Sequence, residues 1–265
     1  MTSRRTVLVL ALALAGCRPV APAGTLFYAS GADLQSINPL VTTHPLAKQV
    51  QRYLLFMTLA RYDSALVARP WLAESWTWSA DRRTLTLTLR DDVTWHDAVP
   101  TTAADVAFTL AAARDPATGY PRGAEVACIQ DGKTARRQDG KNDVVVLTFC
   151  RPQERFPDVL TDLAMLPAHL LRDVPRAELA RAPFNEAPVG NGPFRFVRHE
   201  PDRRWVFTRN PDFPAALGGP PATERLVIVV VDEATTKLAG LVSGELDLAG
   251  INPMHASVVR RVRGR

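Results

Sequence analysis

Between Pro70 and Leu110 the spacing of apolar residues changes period, and the change marks a hairpin followed by a helix. Thr84-Leu85-Thr86-Leu87-Thr88-Leu89 alternates strictly, the pattern of a half-buried strand. Trp76 and Trp78 stand two apart, on one face of a preceding strand, and Ser79 to Arg83 is the polar turn between the two. The hairpin therefore points Leu85, Leu87 and Leu89 inward. Thr102 stands three residues before Asp105, a capping-box spacing. Val106, Leu110, Ala103, Ala107 and Ala111 then predict a helix, stopped at Arg114-Asp115-Pro116.

The same reading extends along the chain. Thr25 to Ala29 predicts a first strand. Leu46, Val50, Leu54 and Met57 recur at helical spacing, so Pro45 to about Ala60 is expected to be one amphipathic helix with proline in its first turn. Residues 129–143 are polar, with Asp131-Gly132 and Asp139-Gly140 as turn signals. They separate a short strand near Cys128 from another over Val144 to Cys150. Phe194 and Phe196 face Trp205 and Phe207 across the turn at Glu200-Pro201-Asp202, which predicts a second hairpin with an aromatic face. Leu226 to Val231 is a continuous apolar run, as in a buried strand. Ala234 to Ser243 reads as a helix closed by Gly244.

With 265 residues, 46% of them hydrophobic, the chain can bury a core in one or two domains. Its net charge is +5, but Arg4, Arg5, Arg260, Arg261, Arg263 and Arg265 at the two ends account for all of that excess. No basic stripe lies on a predicted face, so a nucleic-acid partner is not expected. The five histidines show no ligand spacing such as H-x-x-x-H, and neither a metal site nor a cofactor is expected. Gly190-Asn191-Gly192 follows no strand-to-helix pattern and is not a dinucleotide loop. No G-x-S-x-G elbow is present. Asp91 and Asp92 are neighbours at a strand end and point to opposite faces. The sequence therefore offers no enzyme chemistry.

Residues 1–17 carry a processing signal: a positive n-region at Arg4-Arg5, an apolar stretch from Thr6 to Ala15, and Leu14-Ala15-Gly16-Cys17. The apolar stretch is too short to span a bilayer. Its end resembles the bacterial lipobox, in which Cys17 becomes the lipidated N-terminus. Residues 18–24 would then be a tether.

The stretch opened above resembles a signature of the family-five extracellular solute-binding proteins of bacterial ABC importers, which include oligopeptide-, dipeptide- and nickel-binding proteins. The resemblance is carried by Pro70, Leu72-Ala73, Ser75-Trp76, Leu89-Arg90, Val93, Trp95, Asp97, Pro100, Thr102-Ala103 and Asp105-Val106. Further matches are Ser36-Ile37-Asn38-Pro39, Pro188-Val189-Gly190-Asn191-Gly192-Pro193-Phe194, Asn210-Pro211 and Ser243-Gly244-Glu245-Leu246-Asp247. One departure is Ala98, where the family usually has glycine in a turn needing positive φ, so a distorted turn is expected there. The match runs from about residue 25 to 253 and covers the N-terminal half of the family pattern.

The resemblance implies an α/β fold: a periplasmic-binding-protein-like mixed sheet lobe with an inserted α+β subdomain, the second lobe being absent. Residues 25–44 plus 175–253 would form the first-lobe core, 45–174 the inserted subdomain, and 254–265 a truncated crossover. It implies a lipid-anchored protein of the periplasm or cell surface that captures peptides, or a related small solute, for ABC permease subunits. In peptide-binding relatives the loop after the first strand pairs its backbone with an extended ligand. The matching positions are Asp33, Leu34 and Gln35, with Asp33 placed to attract an amino group. Asn191 and Gly192 are expected to face the cleft. In an oxidising periplasm Cys128 and Cys150 would pair, contributing roughly 3 kcal/mol, or stay as two buried thiols. The alternatives are a truncated half-lobe acting as an accessory or structural lipoprotein, and a periplasmic hydrolase.

Overall fold

The computed structural model describes residues 24–136 and 143–263. Cys17, the processing signal and the Asp139-Gly140 turn signal lie outside them. The first strand is β1 (Thr25–Ser30). Helix α1 (Pro45–Val50) follows and passes into one π-helical turn, Gln51–Leu55. Short strands β2 (Ala60–Tyr62) and β3 (Ala68–Pro70) form a small hairpin. The predicted tryptophan–leucine hairpin is β4 (Ala73–Trp78) with β5 (Thr84–Leu89), and Leu85, Leu87 and Leu89 are fully buried. Helix α2 (Ala103–Arg114) stops at Asp115 as expected. A short helix, α3 (Gly123–Val126), precedes strands β6 (Ile129–Arg136) and β7 (Asp143–Phe149). Helical turns α4 (Val159–Asp162) and α5 (Ala168–Leu171) lead to the aromatic hairpin, β8 (Phe194–Glu200) and β9 (Arg204–Arg209). The apolar run is β10 (Arg225–Val230), then α6 (Ala234–Ser243), β11 (Leu248–Ala249) and α7 (Ala256–Arg263) close the chain.

Two larger sheets result. One has the order β11-β1-β10-β9-β8, the other β4-β5-β7-β6. In the first, β1 runs parallel to both β10 and β11, and parallel pairing fits the unbroken apolar run of β10. A single hydrophobic cluster continues through both sheets, from Leu34 and Leu55 to Leu87, Leu147 and Phe207. On the other face of the five-stranded sheet, α6 covers Ala29 through Leu241. No described helix is long and apolar enough to cross a membrane. Cys128 and Cys150 are joined in a disulfide, their Cα atoms 5.1 Å apart, at the end of the sheet where β6 begins and β7 ends.

Several local expectations are corrected. The helix from Pro45 does not reach Ala60; it ends at Leu55, where Phe56 turns to extended backbone. Asp131-Gly132 is no turn. It lies inside β6, where a register shift between Gln130 and Lys133 absorbs it as a bulge. Phe196 opposes Phe207, but a bulge beyond Phe196 sets His199, not a phenylalanine, opposite Trp205, and Phe194 opposes Arg209. Ala98 keeps its turn closed, donating to the Trp95 carbonyl at 2.8 Å, by adopting φ 70° itself. The departure from glycine thus appears as backbone strain rather than a distorted turn.

The early end of the first helix has a physical reason. The Leu55 carbonyl is not left for a further helical turn; it accepts from Gly192 N at 2.9 Å. A Cβ on Gly190 would stand 1.9 Å from that same oxygen, and one on Gly192 would stand 2.5 Å from the Leu54 oxygen. Only glycine admits this approach. Asn191, between them, accepts from Met57 N at 2.9 Å and donates to Thr101 Oγ1 at 3.3 Å. Asn191 and Gly192 are both buried. The expectation that they face the cleft is therefore corrected: they lock the 190–192 turn onto the chain between Leu54 and Met57.

His96 completes this junction. Its backbone N donates to the Gly190 carbonyl, Nδ1 accepts from Gly190 N at 3.2 Å, and Nε2 meets the Gly192 carbonyl at 3.0 Å. This pattern fixes the neutral Nε2–H tautomer. Burial pushes its pKa down to about 4.

Two predictions follow from this geometry. In the unfolded chain His96 titrates near 6.5, so between about pH 6.5 and 4 only the unfolded state takes the proton, and stability falls as pH drops through that window. The contribution is on the order of 3 kcal/mol. Urea midpoints measured at pH 7 and pH 5 should differ less in His96→Asn than in the parent; equal differences would remove His96 from the account. Ala98→Gly should raise stability by about 0.5–1 kcal/mol, read from the same urea transitions, and an unchanged midpoint would mean that φ 70° carries no strain.

Candidate functional site

β1, β10 and β11 run in the same direction, so their C-terminal ends open at one edge of the sheet, where ligands bind in open α/β sheets. The loop after β1 leaves at this edge. Gly31, Ala32 and Gln35 are exposed there, while Leu34 is fully buried. Among the described residues, no main-chain hydrogen bond is made by Gly31, Ala32 or Gln35. Gln35 takes φ 63°, and its side-chain oxygen accepts from Thr42 Oγ1.

Asp33 organises the loop from the inside. Its carboxylate accepts from Trp205 Nε1, from Asp202 N at 2.9 Å, from His199 Nε2 at 3.0 Å and from Leu34 N at 2.7 Å. The His199 ring stacks on Trp205, centroids 3.7 Å apart. Burial pushes the Asp33 carboxyl upward, but these hydrogen bonds outweigh it and hold the group below the usual aspartate range. Four donors meet the four lone-pair directions of a carboxylate. Asp33 is thus committed to the β8–β9 hairpin, and the expectation that it attracts a ligand amino group gives way to a positioning role. Leu34 likewise points into the core.

The other side of the loop is held by Asn38. Its side chain accepts from Leu40 N at 2.9 Å and donates to Asn185 Oδ1 at 3.0 Å. The Ser36-Ile37-Asn38-Pro39 turn is therefore a second anchor, and the exposed main chain lies between two fixed points. Sequence reasoning missed Gly31 and Ala32, whose backbone is the open part. It also missed Lys237 on α6, whose ammonium nitrogen lies 3.3 Å from where a Gly31 Cβ would stand. Among the described residues Lys237 has no carboxylate partner.

No three histidine, cysteine, aspartate or glutamate side chains among the described residues converge to hold a metal ion. Two further histidines are tied into structure: His169 Nε2 meets Asp97 at 2.8 Å, and His44 caps α1 through Ala47 N. Asp105 accepts from Thr102 N, Trp95 Nε1 and Ala168 N, a buried structural hub.

Comparison with known proteins places this arrangement. The family model described as bacterial extracellular solute-binding proteins, family 5 Middle, matches residues 67–262. A Brucella ovis protein named for ABC transporter peptide binding is 32% identical over 182 residues, 68% of this chain and 33% of that protein. NikZ of Campylobacter jejuni, solved with Ni(L-His), superposes with a TM-score of 0.78 at 28% identity, over 91% of this chain and 46% of its own. The oligopeptide-binding protein of Thermotoga maritima, solved with mannohexaose, gives 0.77 at 26% identity, over 92% and 44%. The chain thus spans between a third and a half of the length of these relatives. It belongs to the bacterial extracellular solute-binding proteins, family 5.

Proposed function

We propose that this chain supplies the first lobe of a substrate-binding lipoprotein that captures peptides, or a related small solute, for an ABC importer. Residues 25–44 and 175–253 would form the lobe core and 45–174 the subdomain packed on it. The observation that carries the reading is the exposed, unpaired main chain at Gly31, Ala32 and Gln35, clamped between Asp33 and Asn38. An extended peptide can add to such a segment as a strand. Main-chain pairing holds the ligand without reading its side chains, which suits a carrier of mixed peptides. Lys237, beside Gly31, would favour an anionic end. Closure of a second lobe over the ligand would present the complex to permease subunits. The reading contains no catalytic step. The different ligands held by NikZ and by the Thermotoga protein agree with a fold whose solute is set by site detail.

The N-terminal half of the reading is an anchor. Cys17 would carry the lipid and hold the lobe at a membrane facing the periplasm or the cell exterior.

Titrating the protein with a mixture of tripeptides to millimolar concentration, where binding is worth about 4 kcal/mol, should shift the backbone amide resonances of Gly31, Ala32 and Gln35 in ¹H–¹⁵N spectra. Asp33→Asn, which loosens the loop, should weaken those shifts several-fold; an undisturbed loop at that concentration would refute the peptide reading. Separately, cells fed a labelled fatty acid should label the parent protein and not Cys17→Ser. Equal labelling, or none in either, would remove the anchor.

A further inference from the structure

A second depression lies away from the sheet edge. It is a groove of about 690 Å³ between the β2–β3 hairpin and β4, within the size range of small-molecule sites. Its floor is Trp76 and Trp78, two apart on one face of β4, which is an edge strand of its sheet. Trp76 packs on Phe156 with centroids 4.7 Å apart. The opposite wall is the hairpin tip, where Leu66 is 78% and Val67 47% exposed. Large apolar side chains left this exposed beside ring faces form a patch that needs an explanation.

The polar groups of the groove are unequal in charge. Two arginines, Arg82 and Arg155, face a single carboxylate, Asp158. Asp158 is already engaged by the Tyr62 hydroxyl and by Arg155, the latter at 2.9 Å. Arg82 lies over the Trp78 ring at 4.7 Å and donates to the carbonyls of Gln153 and Glu154. Among the described residues Arg82 has no carboxylate partner. The arrangement is a flat apolar floor with an excess of positive charge at one end.

We propose that this groove is a second ligand site, separate from the loop after β1, for a small anion with a flat aromatic body. The ring would lie on Trp76 and Trp78, whose faces favour offset or tilted stacking. The acid group would meet Arg82 and Arg155, since guanidinium groups pair with carboxylates through paired N–H donors. A cation of the same shape would meet two positive charges against the one carboxylate, Asp158, and would be disfavoured.

The test compares 2-naphthoate with 2-naphthamide, which share a ring and differ in charge, by calorimetry on the purified protein. The acid should bind at least fivefold tighter than the amide. Arg155→Ala should cut that preference at least twofold while leaving amide binding in place; Arg155 is 80% exposed in its side chain, so the variant will fold. Trp78→Ala should weaken both ligands tenfold or more, with a thermal melt confirming its fold. Leu248→Ser, in an apolar depression beside Tyr53 and Leu226, should change neither. Equal affinities for acid and amide, no binding of either at millimolar concentration, or loss in Leu248→Ser as well would each overturn the proposal. The peptide reading is untouched by any of these outcomes, because its readout lies in Gly31 to Gln35.

Discussion

The junction between the 190–192 turn and the chain at Leu54 to Met57 is the contact on which the rest of this structure depends. Two glycines bring one backbone against another, and a side chain at either position would collide with a carbonyl oxygen. Backbone groups buried this closely must be paired, and here they are paired across more than 130 residues of sequence, through Gly192 N to Leu55 O and Asn191 to Met57 N. His96 joins the third strand of chain to the same point. The five-stranded sheet and the four-stranded sheet share one core because their connecting segments are tied here.

That tie also decides what the loop after β1 can do. The β8–β9 hairpin begins just beyond the junction, and its far end supplies the three groups that grip Asp33. A carboxylate held by Trp205, His199 and a backbone amide cannot also serve a ligand, but it keeps the neighbouring main chain open. Rigid support beneath an unpaired backbone segment is what strand addition requires, since a loose loop would lose conformational entropy on pairing. The aromatic groove beneath the β2–β3 hairpin has a different basis. It depends on side-chain faces and charge, and it belongs to the other sheet.

The disulfide fits the same economy of design. β6 and β7 pair at the outer edge of the four-stranded sheet, with a bulge at Asp131-Gly132 that interrupts their register. The Cys128–Cys150 bridge closes that pair at the same end, just beyond Ile129 and Phe149. A cross-link there limits fraying of a strand pair whose ladder is broken.

By itself the sequence determined the elements whose residues repeat at a fixed period. Thr84 to Leu89 could only bury one face as a strand, Ala234 to Ser243 ended at a glycine with φ 82°, and the fixed spacing from Pro70 to Val106 marked the family. Short-range chemistry suffices for these, because a strand or helix face is set by neighbours two to four residues away. The tertiary structure decided what the polar residues of the loops do. Asp33 and Asn191 read as ligand contacts, and Gly192 as part of a cleft, because a polar or small residue in a loop looks the same whether it faces solvent or a buried amide. Their partners, Trp205 and Met57, lie more than 130 residues away along the chain. Hydrogen bonds of that range leave no periodic trace, and only folding shows which polar groups are spent on holding the chain together and which are left open.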